Sequence, residues 1–310
     1  MINTQDWSKV REIGNLEFLA KQLVEGFITG LHRSPFHGFS VEFAEHRLYN
    51  TGESTRHIDW KVFAKTDRLY IKEYEEETNL RCQILLDTSS SMFYPQEKNQ
   101  SNYLGKITFG ILGASALAYM LQKQKDAVSL CHFSEEIELH TQCKSTPSHL
   151  HKIFSELENL LKIESKQHNK KTLIADTLHI IAEKVHKRSL VIVFSDMLTE
   201  QEDFERIFSG LQHLKHNKNE VLLFHVTDKK TEQDFDFQER PYQFIDLETN
   251  QKINLVPSQV KEHFKNQQEE YFKNLKLKCA QFKIDLIEAD IADGFEQILY
   301  AYMIKRNKML

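Results

Sequence analysis

Three oxygen-bearing side chains stand at alternate positions in Asp87-Thr88-Ser89-Ser90-Ser91, and what they can do together is hold a cation. One carboxylate and two hydroxyls are hard donors, suited to a small divalent ion such as Mg²⁺, and Mn²⁺ accepts the same oxygen set. A second acid has a similar setting, because Ser195-Asp196 closes an apolar run just as Asp87 does. The competing reading of the first stretch is a serine-rich turn whose hydroxyls bond nearby backbone amides.

The elements that must position these residues follow from hydrophobic patterning. Cys82 to Leu86 and Ser189 to Phe194 are short apolar runs bounded by polar residues, the pattern of strands buried on both faces of a parallel sheet. Between them the chain predicts a helix from about Tyr103 to Gln124, apolar nearly all round, and a strand over Asp126 to Phe133. A hairpin partner at Ile137 to Gln142 and two amphipathic helices follow, one carrying Leu150 to Leu161 and one from Leu173 to His186. After Asp196 come a helix (Glu200 to Lys215), a strand (Glu220 to Val226), a hairpin excursion at about 229–257, and a helix (Ser258 to Phe282). A strand (Ile284 to Glu288) and a helix (Gly294 to Lys305) close the chain.

This alternation predicts an α/β fold: a doubly wound, mostly parallel sheet with one antiparallel edge strand. The commonest doubly wound order sets the first and fourth of these strands side by side. Asp87 and Asp196 would then share one crevice beyond the strand ends, where ligands bind in such sheets. Thr172 begins the helix leading into the second strand, so its hydroxyl can reach the same place. Two carboxylates that close repel unless a cation or a proton lies between them.

Residues 1–80 have a different character and are read as a small N-terminal helix (Leu16 to Leu31) followed by an irregular, partly β attachment, with 81–310 as the main domain. At 310 residues with 27% charged and 40% hydrophobic side chains, the chain is an ordinary globular one. A net charge of −5 without a long basic block argues against a nucleic-acid or anionic-membrane surface. Neither a secretory signal pattern nor an apolar stretch long enough to cross a bilayer is evident, so no membrane anchor is expected. Four cysteines without a CxxC pair point to free thiols in a reducing, cytoplasmic compartment.

Asp-Thr-Ser-Ser-Ser-Met after an apolar strand, a Thr ahead of a helix, and a strand ending Ser-Asp together resemble the von Willebrand factor type A domain and its metal-ion-dependent adhesion site. The resemblance implies that Asp87, Ser89, Ser91, Thr172 and Asp196 hold Mg²⁺, directly or through water, with one position left for a partner's acidic side chain. That family commonly has glycine just before the threonine, whereas Lys170-Lys171 stand here, which leaves Thr177 as a second candidate.

Upstream, Glu42-Phe43, Arg47, Tyr49, Gly52-Glu53, Arg56, Ile58-Asp59-Trp60 and Lys72 look like the signature of the bacterial domain-of-unknown-function family numbered fifty-eight. That resemblance runs from about Gly38 to the end. It implies a metal-dependent adaptor or co-chaperone for a MoxR-type AAA+ ATPase. Arg47, Arg56, Asp59 and Trp60 are either partner contacts or internal packing and ion pairs.

The rival class is a metal-dependent hydrolase or phosphoesterase. Phosphatases with an aspartyl nucleophile typically need a second acid two residues on, and that position is Ser89. No G-x-S-x-G occurs, and in Gly105-Lys106-Ile107 an apolar residue replaces the hydroxyl of a phosphate-binding loop. A metal-free structural scaffold is the third reading.

Overall fold

The computed structural model describes residues 15–33, 46–48, 60–66, 68–72, 80–95, 104–134, 136–162, 174–198, 201–247 and 251–309. The chain divides into a larger unit, residues 1–27 with 80–310, and a smaller one, residues 28–79. The boundary falls inside helix α1 (Leu16–Arg33). The first part of that helix therefore goes with the sheet rather than with the expected 1–80 attachment. The reason is local: Leu16, Leu19, Ala20 and Val24 are buried, and the Leu16 amide donates to Glu158 Oε1 at 3.0 Å.

In the smaller unit, strands β1 (His46–Leu48) and β2 (Tyr70–Lys72) pair antiparallel, with helix α2 (Trp60–Thr66) between them in sequence. In the larger unit, β3 (Arg81–Asp87), β4 (Ala127–Phe133), β5 (Ile137–His140), β6 (Leu190–Ser195), β7 (Glu220–Thr227) and β10 (Asp285–Asp290) form a six-stranded sheet in the order β10-β7-β6-β3-β4-β5. All neighbours are parallel except β5, which runs antiparallel at the edge. The excursion after β7 contains the separate hairpin β8 (Tyr242–Ile245) and β9 (Lys252–Leu255).

Alternate strand residues feed two cores. Leu85, Cys131, Val191, Val193 and Leu223 pack with Leu178 and Ile181 of α5 (Ile174–Lys184), Phe208 and Leu211 of α6 (Gln201–His216), and Leu275 of α7 (Pro257–Gln281). Leu86 and Phe194 face the opposite side, against α3 (Lys106–Lys123). That layer also holds α4 (Pro147–Leu161) and α8 (Glu296–Met309), both packed on α3. Two glycines let α3 approach the sheet. A Cβ at Gly110 would stand 2.9 Å from Leu86 Cδ1, and one at Gly113 would stand 3.0 Å from the Phe194 ring. This close seating fixes where the first residue of α3, Lys106, enters.

The expected fold is thus the observed one, a mostly parallel doubly wound sheet with a single antiparallel edge strand. All four cysteines are free; Cys82, Cys131 and Cys279 are buried and Cys143 is half-buried. Among the described residues no helix is long and apolar enough to cross a membrane.

Candidate metal centre

Asp87 ends β3 and Asp196 follows β6, and these strands are direct neighbours with Leu86 opposite Phe194. Their tips lie side by side, as the strand order required, and both acids are fully buried. Thr88 anchors the loop after β3 on β4: its amide and its hydroxyl both donate to the Phe133 carbonyl, at 2.8 and 2.9 Å. A single 3₁₀ turn, Ser90–Phe93, then carries Ser91 back toward the strand tips.

The result joins four of the five expected ligands. The Ser89 amide donates to Asp87 Oδ1 at 2.9 Å, the Ser89 and Ser91 hydroxyls lie 3.1 Å apart, and the Ser91 hydroxyl is near enough to Asp196 to help hold that carboxyl down. The serine-rich turn and the expected ligand set are therefore the same residues, local bonding and convergence together. Thr172 lies outside the described residues; Thr177 is buried within α5. Arg47 stands opposite Ile71 in the β1–β2 ladder and Trp60 opens α2, while Arg56 and Asp59 lie outside the described residues.

At the β6 tip, Met197 adopts φ 50°, the left-handed region that non-glycine residues seldom enter. The tight turn directs the Met197 amide to Ser195 Oγ at 2.9 Å and the Leu198 amide to Asp196 Oδ1 at 3.2 Å. Ser195 Oγ in turn donates to Asp87 Oδ2 at 2.6 Å, and the Tyr271 hydroxyl of α7 donates to the Met197 carbonyl. One serine thus ties the two strand tips together.

Lys106 supplies the cluster's positive charge. Its side chain is fully buried, and Nζ donates to Asp196 Oδ2 at 2.8 Å and to Glu232 Oε1 at 2.5 Å. Glu232 sits in a π turn, Lys229–Gln233, directly after β7, and its Oε2 accepts the Asp228 amide at 2.9 Å. Beside it, Asp196, His225, Glu232, Phe264, Tyr271 and Phe272 line a cavity of about 340 Å³. His225 Nδ1 is buried without a hydrogen-bond partner.

The two acids are driven apart electrostatically. Burial, and then the neighbouring Asp196 charge, raise Asp87 to about 7 against hydrogen bonds from Ser195 and Ser89. Burial also pushes Asp196 up, but the Lys106 ammonium outweighs it and holds that carboxyl below its ordinary value. Burial raises Glu232 despite Lys106, and burial lowers His225 to about 4, so its ring is neutral at pH 7.

No group of three or more His, Cys, Asp or Glu suited to a metal exists among the described residues. The acids here are two, completed by hydroxyls, and that donor set fits a hard divalent cation: a carboxyl pushed up by burial and by its neighbour's charge is what such an ion would relieve. Lys106, Glu232, Ser195 and Tyr271 were not singled out from sequence as part of the site. For Lys106 a signal existed: a lone cation in the first turn of an apolar helix sits at the positive end of the helix dipole and needs an acid partner.

A family model described as "Protein of unknown function DUF58" matches residues 45–273. The chain belongs to that family. The DUF58 match takes in Asp87, Ser89, Ser91, Thr172 and Asp196, and also Lys106 and Glu232. Uncharacterised proteins of Mycobacterium bovis and Mycobacterium tuberculosis are 31% identical over 77 residues, covering 25% of this chain and 24% of their own length. The match thus spans about a quarter of those curated relatives.

Among solved structures, the conserved hypothetical protein BatB from Bacteroides thetaiotaomicron has 14% identity and a TM-score of 0.44, covering 74% of this chain and 98% of its own. An aerotolerance-related membrane protein from Bacteroides fragilis has 14% identity and a TM-score of 0.45, covering 74% and 99%. At these scores neither bears on the site.

Proposed function

We propose that this DUF58 protein is a non-catalytic, metal-dependent protein-binding module that acts in the cytoplasm as adaptor or co-chaperone to a MoxR-type AAA+ ATPase. The observation that supports this reading is the convergence of Asp87, Ser89, Ser91 and Asp196 at two adjacent, buried strand tips. Bound Mg²⁺ would supply a positive centre for a partner's Asp or Glu carboxylate. The chain contributes two negative charges and neutral hydroxyls, a set that leaves such a centre incompletely neutralised. Four free cysteines agree with a reducing compartment.

The test is binding to the cognate ATPase, measured by calorimetry with and without EDTA. Chelation and Asp87→Ala should each abolish it; binding that persists in EDTA overturns the reading.

A metal-free scaffold is the second reading, favoured by the Lys106 ion pair that already neutralises Asp196. Thermal melts separate the two. With a dissociation constant of about 1 mM, 10 mM Mg²⁺ should add about 1.4 kcal/mol and raise Tm by a few degrees. Asp87→Ala should remove that shift, and no shift in the wild type favours the scaffold.

A further inference from the structure

Lys106 is fully buried, so its ammonium cannot turn to water when another cation arrives. Deep in the protein an ammonium must keep a carboxylate partner or lose its charge. Lys106 has two such partners on different elements: Asp196 Oδ2 at the tip of β6 and Glu232 Oε1 in the π turn after β7. Glu232 does not depend on Lys106 for its position. Its other oxygen is held by the Asp228 amide, and the Asp228 carboxylate is itself held by Thr231 Oγ1 at 2.5 Å.

On Asp196 the oxygens divide as well, Oδ1 taking the Leu198 amide and Oδ2 the lysine. A divalent ion that used this carboxylate would share it with an ammonium, and two positive centres on one buried group repel strongly. Retreat to Glu232 removes the conflict at the cost of one hydrogen bond and leaves no charge unpaired.

We propose that Lys106 is an internal counter-ion that competes with the divalent cation for Asp196 and withdraws onto Glu232 when the cation binds. The inference rests on the Mg²⁺ reading above and adds to it a determinant of affinity: the lysine sets how much free Mg²⁺ is needed to load the site. Because Asp196 and Glu232 both line the neighbouring cavity, loading also changes the charge that faces it.

Mg²⁺ titrated by calorimetry into the full chain, with Mn²⁺ followed by electron paramagnetic resonance, decides the matter through two variants of opposite expected sign. Lys106→Met should bind Mg²⁺ about tenfold tighter or more, and its Mg²⁺-induced rise in Tm should exceed that of the wild type. Glu232→Gln, which removes the second partner's negative charge and so leaves the Lys106 ammonium on Asp196, should bind about tenfold more weakly.

If the wild type binds Mg²⁺ and Lys106→Met binds no tighter, the lysine is structural and the inference falls while the metal reading stands. If neither binds, both fall. Should Lys106→Met fold only in Mg²⁺, that supports the inference; should it not fold at all, Glu232→Gln decides, and affinity equal to or above the wild type overturns it.

Discussion

At the amino end of the central sheet, Glu220 opens β7 and Asp285 opens β10, facing Lys215 and Lys305. The Lys305 ammonium lies 2.6 Å from each acid, and Lys215 lies 2.9 Å from Glu220. Two acids meet two ammonium groups there, and the acids are reached by water. At the carboxyl end of the same sheet, Asp196 and Glu232 share the ammonium of Lys106 while Asp87 is bonded by the Ser89 amide and the Ser195 hydroxyl, and the strand-tip acids are sealed from solvent. A balanced, wetted cluster is explained by stability alone. A buried cluster short of positive charge lowers stability, a cost that the proposed cation would relieve.

The largest expected effect breaks that imbalance further. In EDTA, Lys106→Met leaves Asp196 buried and Glu232 part-buried without a cation and should cost about 3–5 kcal/mol, read as a lower midpoint in urea. The same substitution at the other end, Lys305→Met, should cost far less. If the two losses are similar, the two ends do not differ in the way their burial indicates.

How much of this was legible in sequence depends on how far apart the partners stand. Asp87, Ser89 and Ser91 could be found because they share one five-residue run, and Asp196 because it repeats the strand-then-acid pattern; the strand order then followed from topology rules. Lys106 could not be placed, since its acceptors lie 90 and 126 residues away. Only its odd position at the head of an apolar helix hinted at them. Glu232 sat in a segment read as a polar excursion, and nothing local marks a π turn there. The left-handed Met197, which aims two amides at the site, occupies a position where sequence gives no warning, because methionine is not a residue that favours that conformation.

The next effect uses acid as the probe. Asp87 has a folded value raised to about 7 from an ordinary 3.8, so between those limits the native chain binds a proton that the unfolded chain does not. Stability from this group is complete below the unfolded value and is lost as pH rises through the folded one. The metal-free protein should therefore gain up to a few kcal/mol as pH falls from about 8 to about 5. Asp87→Asn should flatten that slope, and so should saturating Mg²⁺, which needs the carboxylate ionised. A flat wild-type profile in EDTA, measured by denaturant titration at each pH, would contradict the buried acid pair.

The smallest effect concerns the opposite end, where acid should act in the opposite direction. Burial pushes Glu220 up, but the Lys305 and Lys215 ammonium groups outweigh it and set the carboxyl below its ordinary 4.5. A depressed carboxylate contributes stability above its unfolded value and loses it as pH falls through the folded one. Because Glu220 and Asp285 are more than a third exposed, solvent screening limits the loss in Lys305→Met to about 1 kcal/mol at neutral pH. The gap between wild type and Lys305→Met should stay constant above about pH 5 and close as pH falls below that, through the depressed folded value of Glu220. Acid thus stabilises one end of the sheet and weakens the other, and a gap that widened on acidification would mean that Glu220, like Asp87, is pushed up by its surroundings rather than held down by its partners.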